Sequence, residues 1–166
     1  MDFNFLINPN AESLYQSGFE FQKAAERCLN IDTEGKIQIV TDGIIHTLPA
    51  PAVVNSTLAC ELYFKALILK SGKSYPTNKN GHNLKYLYEM LPVSMQDNIC
   101  KFCMPKSIDA KKKFTNFLDD HSRDFIDTRY YATKSGWQKM SPIVLYQYTF
   151  NIGKIAKFLL ANWEES

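Results

Sequence analysis

The stretch Asn55–Lys70, NSTLACELYFKALILK, decides the fold of this 166-residue chain. From Leu58 to Leu69 almost every position is apolar or aromatic, so a helix there has no polar face to turn to water. A helix of that kind sits at the centre of a domain and is packed by neighbours on all sides. Its only charges in that span are Glu61 and Lys65, spaced i,i+4 in the favourable Glu-then-Lys order. Glu61 falls on the stripe Val54, Leu58, Glu61, Ile68, which puts a carboxylate among residues expected to be buried. A buried carboxylate needs a partner to stay ionised. The identity of that partner is the main question the pattern raises.

Outward from this helix, the remaining segments read as its neighbours. Towards the N-terminus, Ala11 to Leu29 has Leu14, Gly18, Phe21, Ala25 and Cys28 at helical spacing. Between the two helices, residues 36–48 (KIQIVTDGIIHTL) are rich in Ile and Val and broken at Asp42-Gly43, the favoured centre of a tight turn, which predicts a small β-hairpin. Two strands alone are marginal, so the hairpin must lean on helices or on a partner. Pro49 and Pro51 precede the central helix, and Ser71-Gly72 closes it.

Downstream, Gly81-His82-Asn83-Leu84 leads into a short helix to Leu91, stopped by Pro92, and a second short helix runs from Ser94 to Cys103. A longer segment follows, roughly Ser107 to Tyr131, with Phe114, Phe117, Leu118, His121, Phe125 and Arg129 along one face. Ser141 then caps a last helix with Pro142 in its first turn, and the stripe Leu145, Tyr148, Ile152, Ile155, Leu159, Trp163 runs through it. The expected architecture is a single all-α domain over residues 1–166, with its core at about 10–162. It is an up-and-down helical bundle of four long helices with short accessory helices and the hairpin inserted.

Composition is that of an ordinary globular protein, 45% hydrophobic and 22% charged, with a formal charge of +2. So small a charge does not by itself argue for nucleic acid, which needs Lys and Arg gathered on one surface. Cys28, Cys60, Cys100 and Cys103 lack a disulfide-rich spacing and read as thiols in a reducing compartment. The opening MDFNFLINPN has neither the basic start nor the apolar run of a secretory signal, and no stretch reads as long and apolar enough to span a bilayer. A cytoplasmic location without membrane contact is expected.

Several motifs are weak. Gly72-Lys73-Ser74 imitates the end of a phosphate loop, but Leu67 stands where that loop needs glycine, and a helix precedes it instead of a strand. Cys100-x-x-Cys103 has no second ligand pair for zinc and no βαβ setting for a redox motif, so it reads as two apolar thiols, and no metal or other cofactor is expected. Of His46, His82 and His121, the last lies among phenylalanines as a core residue would, whereas His82, beside a glycine before a helix, can reach back to other helices. Lys111-Lys112-Lys113 is a basic spot that is either a solvated face or a nucleic-acid contact. Arg129 is a natural bidentate partner for Glu61; the pair would be either a structural ion pair or the floor of a polar pocket.

Three pieces in this order resemble the HEPN domain family (higher eukaryotes and prokaryotes nucleotide-binding): Ala59 to Leu67 (ACELYFKAL), then Gly81-His82-Asn83-Leu84 with Leu87, then Phe125-x-x-x-Arg129-Tyr130. The resemblance covers residues 10–162. It implies a helical bundle that forms homodimers, set in toxin–antitoxin or phage-defence systems, often beside a nucleotidyltransferase partner. Active members of the family are metal-independent ribonucleases marked by an arginine followed, four to six residues on, by a histidine. No histidine follows Arg27, Arg123 or Arg129 at that distance, so no catalytic residue carries over. Glu61, His82, Arg129 and Tyr130 match the family's polar positions and form an expected polar core cluster. The expectation is a non-catalytic binding or regulatory module linked to RNA or nucleotides. The alternatives are an endoribonuclease with an atypical site, using His82 or His121 with Arg129, and a structural dimerisation unit for a partner protein.

Overall fold

The computed structural model describes residues 9–32, 36, 48–122 and 141–164. Within them the fold is an all-α bundle of six α-helices, α1 Ala11–Cys28, α2 Pro49–Lys70, α3 Leu84–Glu89, α4 Val93–Cys103, α5 Ala110–His121 and α6 Pro142–Asn162, with a 3₁₀ turn Lys79–His82 before α3. The hairpin expected at 36–48, apart from its two end residues, lies outside the described residues, as does Phe125 to Lys139.

α2 is the central helix, packed against α1, α6 and α3. It begins at Pro49, ahead of the Asn55–Lys70 stretch, because Pro49 and Pro51 occupy the first turn, where the missing N–H groups have no intrahelical partner to lose. Ala59, Cys60, Tyr63, Phe64, Ala66, Leu67 and Ile68 are wholly buried, while Leu58, Leu62, Lys65 and Leu69 on the remaining face are half-buried, so the helix is covered less completely than its apolar run predicts. At 22 residues it is, contrary to the sequence expectation, long and apolar enough to cross a bilayer. Yet 67% of that span is buried against the other helices, as a core helix requires.

The other helices follow local chemistry. Asn10 and Ser13 form a reciprocal capping box at the start of α1, Asn10 Oδ1 accepting from Ser13 N at 2.7 Å. The buried line of α1 is Gly18, Gln22, Ala25 and then Leu29; Phe21, expected on that line, is exposed instead. α5 starts at Ala110 and not at Ser107, because Asp109 adopts a left-handed conformation (φ 60°) that no helical residue shares. α6 carries the expected Ser141 cap, and Leu145, Ile152, Ile155 and Leu159 of its stripe are buried.

Candidate functional site

Glu61 projects from the middle of α2 with only 5% of its side chain exposed. Its two oxygens take two different partners. Lys65, one turn further along α2 and 11% exposed, brings Nζ to 2.6 Å from Oε1. His82, from the 3₁₀ turn, brings Nδ1 to 3.0 Å from Oε2. A carboxylate only accepts, so Nδ1 is the donor, and the tautomer this favours leaves the lone pair on Nε2. Lys65 Nζ also lies 5.2 Å from the ring centre of Tyr75, which roofs the ammonium with an aromatic face.

The Gly81-His82-Asn83-Leu84 motif now has a physical reason at each position. A Cβ on Gly81 would stand 2.3 Å from the Pro76 carbonyl oxygen and 4.0 Å from Lys65 Nζ, so only glycine lets the loop close over the ion pair. His82 reaches Glu61. Asn83 caps α3, its Oδ1 accepting from Tyr86 N at 2.8 Å. Leu84 and Leu87 are fully buried in the main core. The hydroxyl of Ser122, at the end of α5, lies 2.6 Å from the Leu118 carbonyl and 3.3 Å from Asn83 Oδ1, which ties α5 to the same turn.

The cluster therefore joins Glu61 and His82 as expected, and adds Lys65, whose i,i+4 spacing was visible but was read only as helix support. Arg129 and Tyr130 lie outside the described residues. His121 packs its ring 4.5 Å from that of Phe117. Lys111, Lys112 and Lys113 are all exposed at the first turn of α5, Lys111 Nζ standing 3.4 Å from Asp97.

Comparison of the chain with family models, curated proteins and solved structures gives no match.

A second polar network, at the junction of α1, α2 and α6, was missed in the sequence. Tyr63 donates to Gln22 Oε1 at 2.8 Å, Gln22 Nε2 donates to Glu26 Oε1 at 3.2 Å, and Tyr146 donates to the same oxygen at 2.9 Å. Lys23 Nζ closes the set, 2.6 Å from Glu26 Oε2. Burial alone would raise the Glu26 carboxyl, but the bonds from Lys23, Gln22 and Tyr146 and the charge of Lys23 outweigh it and hold it below its ordinary value. The signal available was Gly153 inside an apolar helix. A Cβ there would meet the Tyr63 ring at 2.9 Å, and one on Gly18 would meet the other side of that ring at 2.9 Å.

The cysteines are free. Burial raises the thiols of Cys28, Cys100 and Cys103 and pushes Cys60 up to about 12, the opposite of what a redox pair or a metal-binding thiolate needs. Among the described residues no three His, Cys, Asp or Glu side chains converge as metal ligands would.

Proposed function

We propose that this chain is a non-catalytic HEPN-like binding or regulatory module of a nucleic-acid-linked or defence system, working in the cytoplasm as a homodimer or beside a partner such as a nucleotidyltransferase. The observation that carries the reading is the Glu61–Lys65 pair. Phosphodiester cleavage needs a cation that can turn to a phosphate. Lys65 is instead largely covered, roofed by Tyr75 and bound to a carboxylate, so its charge is offset where it stands. The cluster acts as a brace that fastens the 79–83 turn, and with it α3, to the central helix.

A second reading has one specific support, the half-exposed His82 (53% of its side chain) held by a buried carboxylate. A Glu–His pair is also the arrangement of an acid–base histidine. RNA cleavage that requires His82 is the signature of that ribonuclease. Native mass spectrometry of the protein purified from its own host separates the module from a purely structural dimerisation unit. A retained nucleotide or second protein is expected. A bare homodimer, with neither, contradicts the proposal.

A further inference from the structure

Between Asp97 and Lys113 the sequence holds five lysines and two aspartates, a local excess of three positive charges. The lysines at 111, 112 and 113 stand in the first turn of α5, where the helix dipole already presents its positive end, and Asp109 gives that end no side-chain cap. Stability alone would place acidic residues there. The arrangement costs the free chain energy that a bound anion would return.

Beside this turn lies an open groove of 690 Å³, walled by the loop from Cys103 to Ile108, by Lys113 and by Tyr148 of α6. Its rim is cationic, with Lys106 and Lys113 exposed, and Lys113 Nζ lies 3.2 Å from the Ser107 hydroxyl. Its floor is apolar, built from Cys103, Met104, Pro105 and Tyr148. Ile108 stands at its edge 84% exposed, the most open of the large hydrophobic residues among the described residues. With the exposed Pro105 beside it, Ile108 gives the cationic groove an apolar edge that an apolar side chain of a ligand can cover.

We propose that this groove docks an acidic, amphipathic peptide segment of a partner protein. One large apolar side chain of the peptide lies against Met104, Ile108 and Tyr148, while flanking carboxylates face Lys106 and Lys113. The proposal rests on the reading that the chain acts by binding, and it adds the surface and the chemistry of what binds there. A peptide is favoured over a single-stranded nucleic acid by the floor. The groove's one aromatic ring, Tyr148, is packed at 4.1 Å on Phe117 and is only half open, so a row of bases finds no stacking platform. An aliphatic or aromatic anchor between carboxylates uses both floor and rim.

The test is selection of random 12-residue peptides, displayed on phage, against the full chain, followed by affinity measurement of the synthesised winners. Peptides combining Asp or Glu with Leu, Ile, Phe or Trp are expected. They should bind at least tenfold more weakly to the double variant Lys106→Glu/Lys113→Glu, and peptides with the carboxylates exchanged for lysine should recover that loss. Both lysines are exposed, and a carboxylate at 113 suits the helix start, so the fold should survive; Ile108→Asp, which leaves the charges in place, tests the apolar anchor separately. The proposal is overturned by a selection without enrichment, by winners indifferent to these variants, or by a labelled mixed-sequence 15-mer RNA that binds more tightly than any peptide and loses that binding in the same variants. Each of those results leaves the native-mass test of the binding module standing on its own.

Discussion

Glu61, Lys65 and His82 show how far one residue's surroundings set its role. Glu61 is buried and Lys65 largely so, and removing the carboxylate takes from the ammonium its ion partner and from His82 its acceptor. Glu61→Ala should lower unfolding stability by about 3 kcal/mol or more. His82 contributes from the wet side, and its contact should be worth at most about 1 kcal/mol. A urea titration of Glu61→Ala and His82→Ala measures both; equal losses would mean that the histidine, not the lysine, is the partner that matters. The thiols give a second expectation at this scale. With all four raised by burial and Cys60 at about 12, the native protein should react with a thiol reagent far more slowly at pH 7 than the urea-unfolded chain. Two fast-reacting thiols in the native state would restore Cys100 and Cys103 as a redox candidate.

At the scale of helices, the tightest constraint is the Tyr63 ring held between α1 and α6. Gly153→Ala would gain about 1 kcal/mol of helix propensity, but its methyl would meet the ring and Gln22 Oε1 at 2.9 and 2.7 Å. Gly18 blocks retreat on the far side, so the overpacking cost of about 1–3 kcal/mol should win. A higher melting temperature in Gly153→Ala would show the ring can move. The same junction sets an acid limit. Because Glu26 is held below its ordinary value of 4.5, it stabilises the fold fully at higher pH, and that contribution disappears as the pH falls through its lowered folded value. Glu26→Gln should flatten the acid limb of a stability–pH curve; an unchanged limb would remove Glu26 as its cause. Much of this level was legible. The central helix, the Ser141 cap and the Gly72 stop follow from apolar runs and local capping chemistry. The missed network was not, because Gln22 and Glu26 are neighbours on α1 but Tyr63 and Tyr146 come from two other helices. Only packing brings the three helices together, and periodicity reads polar residues as solvent-facing. Phe21 failed for the converse reason: size suggested burial, but small Gly18 and Ala25 let the helices approach and left no room beside them.

For the molecule as a whole, the proposed role of the polar cluster is to brace the fold and not to cut RNA. The sequence could already point to Glu61 and His82, since both stand in motifs, but it could not say that Lys65 takes the carboxylate and so has its charge offset by it. That follows from the depth of the pair and from the Gly81 turn closing over it. The weak overall charge agrees, since a chain at +2 attracts a long polyanion poorly except at the α4–α5 shoulder. The direct measurement is incubation of the metal-free protein with labelled single-stranded RNA and tRNA. The account predicts intact RNA after long incubation, with wild type and His82→Ala indistinguishable; cleavage by the wild type that vanishes in a folded His82→Ala variant would contradict it.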